Sequence, residues 1–339
     1  MTRSPMIRVA FALVLCLIPA PSSRLPAPSI VPAPSSRLPV VVEYPLPRPK
    51  AFPHDPAVGA DGIVWYTDQA NSYIGRLDPA TGKVTDYATP TPSSGPHGIV
   101  VAPDGGVWYT GNFTARLGRL DPATGAIKEY PLPSEARDPH TPLFHQGKVW
   151  FTVQGANLYG VLDPASGTAR IYPLPTARAR PYGLVAAPDG MIWMALFGTN
   201  QIGRINPADG SLRIFPLPAP SSRPRRLVAD SRGIVWYSDY ARGKLGRLDP
   251  ATGQVRDFVC PGGDGSQPYG IAVGTDGRIW YDESGTDQIV AFDPATERAE
   301  TVKIPTPGSV VRNMAVDSTR ARLWLALSGV QKLGRIDLK

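Results

Sequence analysis

PHGIVVAPDGGVWYTGNFTARLGRLDPATGAIKEYPLP, residues 96–133, is the stretch that decides the fold. It contains four short runs rich in β-branched and aromatic residues, at 98–101, 107–110, 117–120 and 127–130. The segments between these runs contain Pro, Asp, Asn and Gly. Such runs between turn residues are typical of strands joined by tight turns. The stretch therefore predicts a four-stranded antiparallel sheet.

The same pattern recurs along the chain, and its most regular feature is a tryptophan in the second strand. The sequence has seven tryptophans, spaced 42 to 44 residues apart, at 65, 108, 150, 193, 236, 280 and 324. A period of this length in a strand-rich repeat is typical of a β-propeller, in which each repeat forms one blade. We therefore predict an all-β, seven-bladed β-propeller with four-stranded blades.

The two ends of the chain predict how the ring of blades closes. The last repeat ends at Lys339, after its third strand. Its missing outer strand matches residues 40–47, VVVEYPLP, which are similar to KEYPLP at 128–133. We expect this N-terminal strand to complete the seventh blade, because pairing there leaves no open sheet edge. Residues 40–339 then form a single domain.

The first 39 residues have a different composition from the repeats. Arg3 and Arg8 come before a short apolar run at 9–18. A positive segment followed by such a run is the pattern of a signal peptide, here over residues 1–20. Residues 21–39 are rich in Pro, Ser and Arg and predict a disordered linker. We therefore expect an exported protein, periplasmic or secreted, with no membrane attachment once the leader is removed.

The charge of the chain narrows the class of partner. The formal net charge is +7, but the arginines are spread through the repeats and form no basic run. This argues against a nucleic-acid partner and supports at most a preference for anionic ligands. Arginines that recur at one position of the repeat, at 76, 119, 204, 247 and 335, predict a structural role. We expect a monomer, since ring closure leaves no edge to share.

Candidate site residues follow from the direction of the strands. The start of each inner strand and the end of each second strand share one face, at the mouth of the central channel. The position eleven residues before the tryptophan, or ten in the third blade, holds His54, His97, His140, Tyr182, Arg225, Tyr269 and Asn313. The positions just past the tryptophans add Asp68, Gln154, Asp239 and Glu283. These polar and aromatic side chains predict contact with a small-molecule or peptide-like ligand. Inherited scaffolding, with each histidine hydrogen-bonded in its loop, is the alternative.

The repeated patterns PHGI, DGGVWYT, LGRLDP and EYPLP resemble those of the streptogramin B lyases, or virginiamycin B lyases, over residues 40–339. This resemblance implies a lyase that opens a cyclic depsipeptide ester by elimination. A general base removes a proton α to the ester carbonyl, and Mg²⁺ stabilises the developing charge.

The resemblance also implies roles for residues of the second and third blades. Pro96-His97-Gly98-Ile99 matches one family element, and Asp138-Pro139-His140 matches the next, with Asp in place of Glu. By this correspondence His140 is the base, His97 contacts the substrate, and Asp138 and Gln154 hold Mg²⁺. Gln154 stands where the family has a second glutamate, so the ion would have one charged ligand.

A second departure from the family pattern concerns the position of the pair. The family's active pair lies in its last two blades, whereas in blade six of this chain Gln267 and Tyr269 replace Glu and His, although Glu283 is present.

Three functions therefore stay open: a carbon–oxygen lyase, a non-catalytic binding propeller, and a lactonase-like metal hydrolase. The hydrolase requires scattered carboxylates to converge on a metal, namely Asp68, Asp138, Asp239 and Glu283. A transition-metal site made of His54, His97 and His140 requires neighbouring blades to hold the imidazoles close enough to share one ion.

Overall fold

The computed structural model describes Met1 and residues 39–338. Within that part of the chain the strands form seven antiparallel sheets of four strands each, which confirms the predicted all-β propeller. The helical segments described there are two 3-10 turns, Gly263–Gly265 and Ser328–Val330. No helix among these residues has the length and apolar character needed to cross a bilayer. The predicted leader and linker fall almost wholly outside the described residues, and the domain boundaries stay a prediction.

Each blade is one sheet, and in blades one to six the strands follow in chain order from the channel outward. The strands of blades one to three are β2 (Pro53–Val58), β3 (Val64–Asp68), β4 (Tyr73–Leu77), β5 (Val84–Ala88), β6 (Pro96–Val101), β7 (Val107–Gly111), β8 (Arg116–Leu120), β9 (Ile127–Pro131), β10 (Pro139–His145), β11 (Lys148–Val153), β12 (Leu158–Asp163) and β13 (Thr168–Pro173). Those of blades four and five are β14 (Pro181–Ala186), β15 (Ile192–Leu196), β16 (Gln201–Ile205), β17 (Leu212–Pro216), β18 (Pro224–Ala229), β19 (Val235–Asp239), β20 (Lys244–Leu248) and β21 (Val255–Val259).

The last two blades complete the ring. Their strands are β22 (Pro268–Val273), β23 (Ile279–Glu283), β24 (Gln288–Asp293), β25 (Arg298–Lys303), β26 (Val311–Asp317), β27 (Arg322–Leu327), β28 (Lys332–Asp337) and β1 (Val42–Pro45). The inner strands contact one another in the cyclic order β2, β6, β10, β14, β18, β22, β26 and back to β2. The seven sheets therefore surround a common axis.

The N-terminal strand closes the seventh blade as predicted. Strand β1 pairs antiparallel with β28, and Tyr44 lies opposite Leu333 in that pairing. The Tyr44 ring packs on Trp324 with ring centroids 5.3 Å apart, and its hydroxyl accepts a hydrogen bond from Arg335 at 2.7 Å. Glu43 accepts a charged hydrogen bond from Lys332 at 2.6 Å. The edge of β28 is thereby covered.

The tryptophans build the cores between blades, which explains their regular period. Trp65 packs in one cluster with Ile99 and Tyr109 of blade two, and Trp324 packs with Tyr66 of blade one. In six of the seven described blades the residue after the tryptophan lies opposite a glycine of the third strand; in blade six its partner is Val290. At Gly118, for example, a Cβ atom would lie 2.1 Å from the Tyr109 ring. The conserved spacing within each repeat is therefore a packing requirement.

The turns at the bottom of the ring use the recurrent arginines. Arg119 bonds to Asp104 at 2.9 Å, and Arg204 bonds to Asp189 at 2.8 Å, so these two arginines join the third strand to the first turn of their own blades. Asp121 caps its own turn by accepting the Ala123 N–H at 2.9 Å. The predicted structural role of the repeated arginines is therefore supported at these two positions.

Candidate functional site

The second residue of every inner strand comes together with its counterparts at the channel mouth. Six of these entry residues are the predicted ones, but the seventh is Arg312 instead of Asn313. In blade seven Val311 pairs with Leu327, as Pro53 pairs with Asp68 in blade one. Six residues separate the paired Val316 and Leu323, whereas five separate the equivalent pair Val58 and Val64 of blade one, so counting back from the tryptophan misplaces the entry position. The complete set of entry residues is His54, His97, His140, Tyr182, Arg225, Tyr269 and Arg312.

The three entry histidines form a continuous stack. The ring centroids of His54 and His97 are 3.7 Å apart, and those of His97 and His140 are also 3.7 Å apart. Tyr182 continues the stack, with its ring centroid 4.0 Å from that of His140. The histidines are only 3–5% exposed. Neighbouring blades thus hold these imidazoles in contact, in a tilted stack.

A hydroxyl group two residues past the tryptophan positions the stack. Thr110 Oγ1 accepts the Gly98 N–H at 2.9 Å and donates to the His140 carbonyl in the next blade at 2.8 Å. The same pair of bonds is made at the equivalent position of three other blades, by Thr67, Thr152 and Ser238. We name these four residues the hydroxyl belt. The belt holds the carbonyl groups of four entry residues: His97, His140, Tyr182 and Tyr269.

The Nδ1 atoms of the three imidazoles have different surroundings. His54 Nδ1 bonds to Asp55 Oδ1 at 2.9 Å, and His140 Nδ1 bonds to Thr141 Oγ1 at 3.0 Å. His97 Nδ1 is buried and has no hydrogen-bond partner among the described residues. Because the Asp55 carboxylate accepts the proton on Nδ1 of His54, the Nε2 lone pair of that ring is left free to accept another.

The environment favours the neutral form of all three histidines. Burial lowers the pKa of His97 well below 6.5, and the neighbouring histidines and Arg226 lower it further. Burial is also the largest cause that lowers the pKa of His140 well below 6.5, and the charge of Arg226 is the next largest. Burial also lowers the pKa of His54, although Asp55 partly opposes it. At neutral pH the stack therefore offers imidazole free bases.

A buried ion pair crosses the channel beside the stack. Arg226 of blade five donates to both carboxylate oxygens of Asp55 of blade one, at 2.7 and 3.0 Å. Burial alone would raise the pKa of Asp55, but Arg226 and His54 outweigh it and the net shift is downward. Asp55 is therefore ionised, and Arg226 is held by it.

Aromatic rings and a second arginine fill the opposite side of the mouth. The Arg225 Cζ atom lies 3.7 Å from the ring centroid of Tyr269 and 4.4 Å from that of Tyr240. Tyr182 and Tyr269 are hydrogen-bonded through their hydroxyl groups, and Arg225 donates to the Tyr182 hydroxyl at 3.3 Å. The predicted residues Tyr182, Arg225 and Tyr269 are thus brought together with the histidines.

Comparison with known proteins places this arrangement in a family. The sequence profile of the virginiamycin B lyase family matches residues 37–205 and 178–339. The chain belongs to the virginiamycin B lyase family. None of the curated protein sequences matches the chain.

Solved structures of the family have the same fold. A streptogramin B lyase is 26% identical with a TM-score of 0.82, and the match covers 88% of this chain and 97% of that one. Virginiamycin B lyase from Staphylococcus aureus gives the same identity, TM-score and coverage of this chain, with 99% of its own chain covered. So does a catalytically inactive histidine-to-alanine variant of that enzyme, solved with quinupristin.

The carboxylates predicted from the family and from the repeat hold loops within their own blades. Asp138 accepts the backbone N–H groups of Gly155 and of Ala156, the latter at 3.3 Å. Three others accept the backbone N–H of a residue before their inner strand: Asp68 from Phe52, Asp239 from Arg223 and Glu283 from Gly262. The last three side chains are at most 1% exposed. Nothing in these contacts makes the four carboxylates converge on one ion.

The donor atoms at the mouth fit Mg²⁺ poorly. Among the described residues, the group of three whose donor atoms approach one another closely is His54, Asp55 and His97, within 4.8 Å. Mg²⁺ prefers oxygen ligands, and this set offers two imidazoles. The one carboxylate already binds the Arg226 guanidinium, whose charge opposes a second cation. Gln154 is half-buried and neutral. The magnesium prediction stays untested, and no chemical step here depends on it.

Sequence reasoning missed Asp55, Arg226 and Arg312. The first two follow an entry residue, at a position that is glycine in blades two, four and six. At Gly98 a Cβ atom would lie 2.6 Å from the His140 carbonyl oxygen, which explains the glycine. A change from glycine to a charged residue in two blades was the available signal. Arg312 was hidden by the one extra residue in the first hairpin of blade seven.

Proposed function

We propose that this chain is a carbon–oxygen lyase that opens a cyclic ester by elimination at the channel mouth. The observation that carries the proposal is the stack of three buried imidazoles, whose pKa values are all lowered. A general base for an α-proton must be unprotonated at the working pH, and these histidines meet that requirement. Membership of the virginiamycin B lyase family supports the class of reaction.

The proposed step balances without an oxidant or a reductant. An imidazole Nε2 takes the proton from the carbon next to a carbonyl, and the C–H electron pair forms a carbon–carbon double bond. The bond between the neighbouring carbon of that double bond and the ester oxygen breaks, and its electron pair leaves with the carboxylate. The imidazolium then returns its proton to solvent. Following the family correspondence, His140 takes the proton and His97 contacts the substrate.

Positive charge at the mouth supports the same step. In the family pattern Mg²⁺ stabilises the negative charge that develops on the substrate. Here the guanidinium groups of Arg225 and Arg226 lie near the histidines, and their charges lower the pKa of His97 and of His140. Fixed cations next to a base stabilise an enolate-like transition state and a leaving carboxylate.

The products of a test reaction distinguish the three candidate functions. Purified protein is incubated with quinupristin and with other cyclic depsipeptides and lactones, and the products are analysed by mass spectrometry. Ring opening by elimination leaves the mass unchanged and creates a double bond, as we expect. A gain of one water indicates the lactonase-like hydrolase instead. Binding without conversion of any compound supports the non-catalytic propeller and contradicts the lyase.

Histidine variants test which imidazole acts. His140→Ala should reduce kcat by at least about a hundredfold, the usual scale of general base catalysis. His97→Ala should act mainly on KM. His145→Ala is the matched control, because His145 lies at the end of β10 and bonds to the Gly190 carbonyl instead of joining the stack. Full activity in His140→Ala would contradict the assignment of the base.

We also propose export of the protein as a monomer that acts outside the cytoplasm. The proposal depends on the leader pattern at residues 1–20. A tagged full-length chain should appear in the periplasm or the medium without the leader. Retention in the cytoplasm at full length would contradict it.

A further inference from the structure

Three arginines surround one aromatic ring at the channel mouth. The Cζ atoms of Arg225, Arg226 and Arg312 lie 3.7, 5.6 and 5.9 Å from the ring centroid of Tyr269. The three side chains come from blades five and seven, and Tyr269 comes from blade six between them. We name these four residues the arginine pocket. It lies next to the imidazole stack, since the Arg225 and Arg226 Cζ atoms are 5.1 and 5.7 Å from the ring centroid of Tyr182, which packs on His140.

The arginine pocket has more positive than negative charge. Asp55 is the carboxylate that pairs with it, through Arg226 alone. The charge of Arg225 lowers the pKa of the Asp282 carboxyl group, but burial outweighs it and raises that pKa to about 7. At neutral pH Asp282 is therefore only partly ionised. Clustered guanidinium groups with so little compensating charge repel one another, so an added anion would stabilise them.

Hydrogen-bond donors in the pocket also lack acceptors. The Nε atoms of Arg225, Arg226 and Arg312 are all buried without a hydrogen-bond partner among the described residues. Among the residues that the structure describes, the Arg225 side chain makes one hydrogen bond, to the Tyr182 hydroxyl at 3.3 Å. Buried donors are nearly always satisfied in folded proteins, and a guanidinium offers several in one plane. Unused donors on three adjacent arginines point to an acceptor with several oxygens.

The walls of the pocket are aromatic. Phe197 and Tyr240 are half-buried, and their ring centroids lie 5.0 and 4.4 Å from the Arg225 Cζ atom. Phe52, also half-buried, lies 5.6 Å from the Arg312 Cζ atom. Such walls favour a flat apolar group next to the charge.

We propose that the arginine pocket is an anion subsite that binds the carboxylate of a ligand with an attached aromatic or flat apolar group. A carboxylate matches the planar fork of a guanidinium through two parallel hydrogen bonds. The subsite shares Arg225 and Arg226 with the catalytic proposal, but it is tested independently of it, because binding of such a ligand requires no turnover. If the lyase proposal also holds, the subsite selects substrates that carry a free carboxylate.

Calorimetric titration with benzoate and benzamide tests the proposal. The two probes share a ring and a similar shape but differ in charge. We expect benzoate to bind wild-type protein at least tenfold more tightly than benzamide. Arg225→Gln and Arg312→Gln should each weaken benzoate binding at least tenfold. Arg119→Gln is the matched control, since it removes the same charge from a turn at the bottom of the ring.

Each outcome of the titration decides the matter. Equal affinity for the two probes, or unchanged benzoate binding in both pocket variants, would overturn the subsite. Inorganic phosphate that binds as tightly as benzoate would contradict the carboxylate assignment. If Arg225→Gln fails to fold, Arg312→Gln alone carries the test; Arg225 also donates a hydrogen bond to the Tyr182 hydroxyl, which that substitution disturbs. If the wild-type protein binds benzoate as expected but shows no lyase activity, only the catalytic proposal is refuted.

Discussion

At the scale of single residues, the site depends on what lies next to each histidine. His54, His97 and His140 stand at the same position of three blades, yet their Nδ1 atoms have different surroundings. His54 is oriented by Asp55, which is itself held by Arg226. Burial and the nearby arginines keep the stack neutral. The chemistry of the mouth is therefore set by neighbours that break the repeat.

The lowered histidine pKa values predict a pH dependence of stability. Below about pH 6.5 the unfolded chain binds protons that the folded stack does not bind, so the free energy of unfolding falls as the pH falls. The loss is up to about 1.4 kcal/mol per pH unit for each shifted histidine. Urea denaturation between about pH 5 and pH 8 measures it. His97→Asn should flatten the profile, because it removes one of the histidines whose pKa is lowered.

The ion pair across the channel predicts a large effect of single substitutions. Arg226→Met leaves the Asp55 carboxylate buried without its cation, and should lower the free energy of unfolding by about 3–5 kcal/mol. The double variant Asp55→Asn with Arg226→Met should lose less than the sum of the two single variants. Urea denaturation provides the values. A loss below about 0.5 kcal/mol for Arg226→Met would show that the pair does not stabilise the fold.

At the scale of elements, the inner strands and the hydroxyl belt bring the site together. The belt residues bond an inner-strand N–H in their own blade and an entry carbonyl in the next. The sequence predicted the strands of blade two to within two residues, because β-branched runs and turn residues mark their ends. It did not predict the belt, since a threonine in a strand has many ordinary roles.

The belt predicts a specific requirement for a hydroxyl group. Thr110→Val keeps the shape of the side chain but leaves the Gly98 N–H and the His140 carbonyl without their partner. We expect a loss of about 1–3 kcal/mol in the free energy of unfolding, measured by urea denaturation. Thr110→Ser restores the hydroxyl and should recover most of it. Wild-type stability in Thr110→Val together with a loss in Thr110→Ser would mean that methyl packing, and not hydrogen bonding, matters at this position.

At the scale of the whole molecule, the sequence predicted the number of blades and their closure because both follow from a period. Seven tryptophans fix seven sheets, and residues 40–47 match an outer strand. The site was only partly predictable. The period located six entry residues, but the extra residue in the first hairpin of blade seven displaced the seventh. Asp55 and Arg226 meet across the channel from blades one and five, and such a contact is not encoded in the spacing of a repeat.

Closure by β1 predicts that blade seven is the weakest part of the ring. Tyr44 packs on Trp324 as Tyr130 packs on Trp108, with ring centroids 5.3 Å apart in each pair. Only Tyr44 belongs to a strand that no hairpin joins to its blade. Tyr44→Ala should therefore speed hydrogen exchange at β28, while Tyr130→Ala, the matched control, should leave the neighbouring strand β8 protected. Similar exchange in the two variants would contradict this view of closure.

The most direct test of the central claim is the NMR titration of the four histidine side chains, with and without benzoate. The claim is that the ring of blades holds neutral imidazoles beside an arginine pocket at one mouth of the channel. At about pH 6 the His97 and His140 signals should keep the shifts of neutral imidazole, and both should move when benzoate is added. The His145 signal should not respond to benzoate. If His97 and His140 titrate near the ordinary histidine pKa and neither responds to benzoate, the account of the site is wrong.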